Sequence, residues 1–328
     1  MILDVTRHKF SEALLTLLFF AVAIAVVAGV IYPHASTIVG GAEAPLVPYI
    51  TQFRVEHPTL SAVLLGLLYF YSVLRLSRAT VRVEIYPSMT LSAIAVSAVT
   101  LFGAMVTPDY GVLAMSMLFI AETFGRLIYC FSASVRPHFL FSAMVALGAL
   151  PLFDKAFIPL SIIVSIYLIV ARGTLRETAL TLLGIITPSF IYCYIMWLAG
   201  GDFVASFVDV WCENLISSHL SLAAYLTLPR LIYIGIVLFL QILAAVLYLT
   251  TPLGLNSGAR DVWRVLLLSL VVLVVSLVML PASSPSIIVA MALLSAVMLP
   301  LLFQYASAIN ATLAYVLLLL ATLVPLIF

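Results

Sequence analysis

The stretch GDFVASFVDVWCENLISSH, residues 201–219, places Asp202, Asp209 and Glu213 in a chain of which only 8% of residues are charged. Wound as a helix at about 100° per residue, these three acids fall within about 40° of one another, while Val204, Phe207, Val208, Trp211 and Leu215 take the opposite face. Asp209 and Glu213 lie one turn apart, a spacing that suits a shared divalent cation. That cation is the one cofactor the residues point to; no cluster of His and Cys ligands accompanies it. The alternative is a solvated polar face. Either way the pattern predicts an amphipathic helix over about 202–216 lying along the bilayer surface, with Trp211 at headgroup level where indoles concentrate. His219 and Arg230 flank the stretch. The planar fork of Arg230 would suit a diphosphate, or the side chain snorkels from its helix end.

A second loop, residues 32–58, holds His34, Glu43, Arg54, Glu56 and His57. The segment YITQFRVEHPTL reads as a short interfacial helix stopped by Pro58. Glu56 and His57 are candidate general bases, since both side-chain types accept a proton near neutrality when perturbed. Arg54 is a candidate phosphate ligand beside them. Deeper in the chain, Glu122 and Arg126 in AETFGRLIYC are four apart and share a helix face. An ion in hydrocarbon pairs or faces a cavity, so these two form an intramembrane ion pair, or contact a lipid phosphate or an ion pathway.

The elements that must position these groups follow from composition. The 328-residue chain is 65% hydrophobic, with a mean hydropathy of +1.28. Runs such as VLLLSLVVLVVSLVML do not alternate as barrel strands would, so lipid leaves the helix as the way to satisfy the backbone. The fold class is all-α, a polytopic bundle of about eleven spans at roughly 12–31, 59–74, 87–106, 111–131, 138–153, 156–171, 177–199, 229–249, 263–280, 285–304 and 309–327. The fifth and sixth are short and read as two crossings or a re-entrant hairpin, capped at the outer face by Asp154 and Lys155. The first apolar run is too long for a signal peptide and reads as an uncleaved first helix. Residues 1–328 form one integral-membrane domain with no soluble domain and no ATP-binding loop.

With the N-terminus cytoplasmic, Arg7, Lys9, Arg75, Arg78, Arg82, Arg126, Arg136, Arg172, Arg176, Arg260 and Arg264 fall inside. Of the fourteen basic residues, only Arg54, Lys155 and Arg230 fall outside, the bias of cytoplasmic loops. Cys130, Cys193 and Cys212 form no CxxC pair and read as small apolar groups. No basic, aromatic-rich patch marks a nucleic-acid partner; the bilayer is the implied partner.

Residues 136–201, with a Gly-small-Leu run before Pro151, the junction Arg172, Arg176 and Glu177, and LLGIITP ending at Pro188, resemble a multi-pass inner-membrane family of Bacteroidetes-type bacteria. The resemblance covers about a fifth of the chain and implies a polytopic protein of the bacterial cell envelope, in the inner membrane; it carries no catalytic residue across. The layout of spans and outer loops is also similar to membrane-embedded glycosyltransferases and glycan polymerases, which implies a polyprenyl-phosphate-linked glycan as substrate. Those enzymes place an aspartate soon after the first span; here IYPHASTIVGG has none, and Glu43 or Glu56 would substitute. Three functions follow as expectations: such an enzyme at the periplasmic face; a transporter or lipid flippase without an ATP-binding domain; or a non-catalytic scaffold of an envelope complex.

Overall fold

The structure, a computed structural model, describes residues 10–31, 44–83, 85–86, 92–106, 110–131, 137–172, 174–212, 226–251, 255–279 and 284–327. Among these the chain is helical: α1 (Phe10–Val26, continued by a π-helical turn Val27–Ile31), α2 (Val47–Glu56), α3 (Pro58–Arg82), α4 (Ser92–Met105), α5 (Tyr110–Cys130), α6 (Pro137–Phe153), a 3-10 turn (Lys155–Phe157), α7 (Ile158–Arg172), α8 (Leu175–Leu198), α9 (Phe203–Trp211), α10 (Leu228–Thr250), α11 (Ser257–Met279), α12 (Pro285–Tyr305) and α13 (Ala308–Ile327). Each of the eleven predicted segments contains a helix among its described residues. Seven are long and apolar enough to cross a bilayer, and α4, α6, α7 and α13 are shorter apolar helices. The chain is a multi-pass membrane protein.

Burial is graded from the middle outward. α12 is enclosed along most of its length and packs on α3, α4, α5, α10, α11 and α13. Its backbone carbonyls take side-chain donors from the surrounding helices: Thr100 Oγ1 to Ala292 at 3.2 Å, Gln241 Nε2 to Met291 at 2.7 Å and Tyr86 Oη to Val297 at 2.7 Å. α1, α8 and α10 instead expose large apolar side chains such as Phe19, Ile195 and Phe239, as surfaces facing lipid do.

α6 and α8 touch through backbone. A Cβ added at Gly148 would stand 2.1 Å from the Ile185 carbonyl oxygen, and one at Gly184 would stand 2.5 Å from Met144 Cβ. Both glycines belong to the two motifs singled out between residues 136 and 201. Their shared physical reason is a close helix crossing, where small residues let backbones approach.

The bundle has two ends. At one, α2, α9 and the tip between α6 and α7 come together: the Leu46 amide donates to the Leu152 carbonyl at 3.0 Å, and Arg230 at the start of α10 reaches the Val106 carbonyl at the end of α4. At the other, the Phe131 carbonyl abuts Gly258 and Tyr248 stacks on Trp263 with ring centroids 5.0 Å apart. Arg75, Arg78, Arg126, Arg176, Arg260 and Arg264 sit toward this second end; Arg54, Lys155 and Arg230 sit at the first.

Candidate functional site

The α2–α3 corner forms because Pro58 lacks an amide to continue α2 and is pre-set for the first turn of α3. His57 is the hinge, with φ −133° and ψ 64°. On α2, Arg54 is buried and its guanidinium lies over the Tyr110 ring, 5.6 Å from the centroid, the geometry of a cation–π contact. Glu56 is exposed and accepts a 2.8 Å hydrogen bond from Gln52 Nε2. His57 is exposed, and its ring meets Phe53 edge-on at 5.6 Å. Arg54, Glu56 and His57 therefore stand together at one corner, as their spacing suggests.

Two apolar clefts flank α3 below this corner. One of about 640 Å³ lies between α1 and α3, lined among others by Leu18, Val22, Gly29, Thr59, Val63 and Phe70. The other, about 220 Å³, lies between α2, α3 and α5, lined among others by Tyr49, Phe53, Ser61, Leu64, Tyr110 and Met115. The larger falls within the roughly 300–1,000 Å³ usual for ligand pockets. Its upper end, at Thr59, is two residues from His57.

The stretch after α8 forms a helix for a legible reason. Asp202 is its N-cap, accepting from the amides of Val204 at 2.8 Å and Ala205 at 3.4 Å, which satisfies donors a helix start leaves open. Asp202 thus belongs to the helix end rather than to an acidic face. Helix α9 runs Phe203–Trp211, shorter than the expected 202–216; residues 213–216, including Glu213 and Leu215, lie outside the described residues, as do His219, His34 and Glu43. Val204 and Val208, on the predicted apolar face, are exposed. Phe203 packs edge-on against Phe190, and Trp211 Nε1 donates to Ser189 Oγ at 3.1 Å.

Asp209 faces the bundle. Its Oδ1 accepts from Lys155 Nζ at 2.8 Å, and the lysine side chain is 0% exposed. Val210, the next residue, packs on Ala149, Leu152 and Phe153 at the tip of α6. Lys155 is the partner that sequence reasoning missed. The available signal was a lone lysine in the apolar stretch LPLFDKAF, which must find a carboxylate. Asp154 caps the 3-10 turn through the Ala156 amide at 2.9 Å and takes hydrogen bonds from the hydroxyls of Ser284 and Ser286 at the start of α12. Burial pushes its carboxyl above the ordinary aspartate range, against the opposing pull of those donors.

The predicted pair Glu122–Arg126 is present, with Arg126 Nε 2.6 Å from Glu122 Oε2. It has two further members: Arg75 Nε stands 3.2 Å from Oε1, and Tyr71 Oη donates to that same oxygen. Tyr71 and Arg75 are themselves four apart on α3, the same spacing signal as Glu122 and Arg126. No family model, curated protein or solved structure matches this chain.

Proposed function

We propose that this protein is an enzyme of the bacterial inner membrane that transfers a glycan carried on polyprenyl phosphate, at the bilayer face bearing α2 and α9. The chain would cross eleven times with a cytoplasmic N-terminus and lie in an envelope membrane, as the likeness of residues 136–201 to envelope proteins also suggests. The observation that carries the reading is the pairing of the cleft between α1 and α3 with the polar corner at its upper end. A polyprenyl chain would lie in the cleft, which is open to lipid through Val22 and Val63, and the phosphates would stand beside Arg54. Glu56 or His57 would take the proton of an acceptor hydroxyl. The acceptor oxygen would then bond to the anomeric carbon as the bond from that carbon to the phosphate oxygen breaks, and polyprenyl phosphate leaves with the pair of electrons. The asymmetric distribution of arginines between the two ends supports placing the corner outside.

The cleft is tested with a polyprenyl phosphate carrying a photoactivatable group. Val22→Trp and Val63→Trp fill the cleft from the lipid side and should abolish labelling of α1 and α3; labelling unaltered by both would refute the reading. Glu56→Gln and His57→Ala should slow transfer without loss of labelling. Orientation has a probe in the native sequence. Cys212 is exposed after α9, whereas Cys130 and Cys193 are buried. A membrane-impermeant thiol reagent on cells with an opened outer membrane should modify Cys212; modification only after the inner membrane is broken would reverse the topology.

A further inference from the structure

We propose that Arg75 and Arg126 form a phosphate-binding site at the end of the bundle opposite α2, built to take the phosphate of an anionic lipid headgroup. Both guanidiniums contact Glu122 through Nε, Arg75 on one oxygen and Arg126 on the other. A guanidinium has five N–H donors, so this arrangement commits the inner edge of each fork and leaves its terminal amino groups, which have no further hydrogen-bond partner among the described residues. Two cations on one carboxylate leave the cluster with one excess positive charge. In hydrocarbon such an excess is costly, and a phosphate oxyanion is the species that both neutralises it and accepts several donors at once.

The cluster is also held in place before any ligand arrives. Arg75 lies over the Tyr129 ring, its Cζ 5.4 Å from the centroid. It packs on Gly125, where an added Cβ would stand 3.6 Å from Arg75 Cζ. Tyr71 holds the Glu122 carboxylate from the other side. The Arg126 side chain is 35% exposed against 13% for Glu122, so the carboxylate is the inner layer and the guanidinium fork the outer one. Arg75 and Arg126 stand toward the second ends of α3 and α5, with exposed Arg78 one turn beyond Arg75. This site is separate from the proposed glycan site: it uses other residues at the other end of the bundle.

The test is native mass spectrometry of the purified full chain, titrated with phosphatidylglycerol, with phosphatidylcholine and with inorganic phosphate. Wild-type protein should retain phosphatidylglycerol over phosphatidylcholine. Arg126→Gln leaves Arg75, Tyr71 and Glu122 matched and should weaken phosphatidylglycerol about ten-fold, as expected for lost charge-assisted hydrogen bonds. Arg126→Lys keeps the charge but loses the fork and should fall between them; it also serves as the comparison if the glutamine variant does not fold. Arginine-dependent binding of inorganic phosphate without preference for phosphatidylglycerol would support the phosphate site and assign it a soluble ligand. Equal retention of all three by wild type and both variants would overturn the proposal.

Discussion

Two ionic clusters among the described residues sit at opposite ends of the bundle, and what their cations meet separates a fastening from a site. At the tip of the α6–α7 hairpin one ammonium meets one Asp209 carboxylate, and the ammonium is enclosed. Asp154, beside it, has its carboxyl pushed above the ordinary aspartate range by burial. At the other end two guanidiniums share Glu122 and keep their outer donors. The first cluster ties the hairpin to α9 through Lys155 and Asp209. The second cannot neutralise itself, and it is the one built from the residue type that binds phosphate through a planar fork.

The largest effect should come from the closed cluster. Asp209→Asn removes the carboxylate that the enclosed Lys155 ammonium meets, a loss of about 3 kcal/mol as for other broken buried pairs, read as a lowered unfolding temperature in detergent. An unchanged temperature would show that Asp209 does not neutralise Lys155. Glu122→Gln should cost less, about 1–2 kcal/mol, because Arg75 and Arg126 keep part of their hydration. Adding Arg126→Gln should restore only part of it, since Arg75 remains stranded; adding Arg75→Gln as well should restore more. Additive losses across that series would mean the three residues do not interact. Trp211→Phe removes the hydrogen bond to buried Ser189 and should cost about 1 kcal/mol; a neutral result would mean that this hydrogen bond does not help to seat α9.

The smallest effect concerns pH. The folded-state carboxyl of Asp154 is held above its unfolded value, so its contribution is fully present below the ordinary aspartate range of about pH 4 and is lost as pH rises through the raised folded value. Asp154→Asn keeps the cap acceptor and cannot ionise. Wild type should lose ground against this variant between about pH 4 and neutrality; parallel curves would place Asp154 in the ionised form throughout.

The helices were legible because apolar length is a local property: every predicted segment contains a helix among its described residues, down to the short α6 and α7. The pair Glu122–Arg126 was legible for the same reason, being one turn apart. The partners of charges were not. Lys155 and Asp209 are 54 residues apart in sequence, and Arg75 reaches Glu122 across 47; spacing within one helix says nothing about either. The three acids of residues 202–216 look equivalent on a helical wheel. Asp202 proved to be a cap and Asp209 a counter-ion because one stands at the helix end and the other over the hairpin tip. The crossing of α6 and α8 was visible as two glycine-bearing motifs, but only coordinates bring Gly148 and Gly184 to the same crossing.

The enclosure of α12 has a bearing on how the protein is made. Pro285–Tyr305 leaves the ribosome after α1–α11, yet it occupies the centre of the packed bundle. A nascent chain arrested at residue 284 would hold α4, α5, α10 and α11 with their inner faces against lipid or against a chaperone. The core therefore closes late, around an uncharged helix in a stretch with no Asp, Glu, Lys or Arg after Arg264, and α13 then packs on α4 and α10.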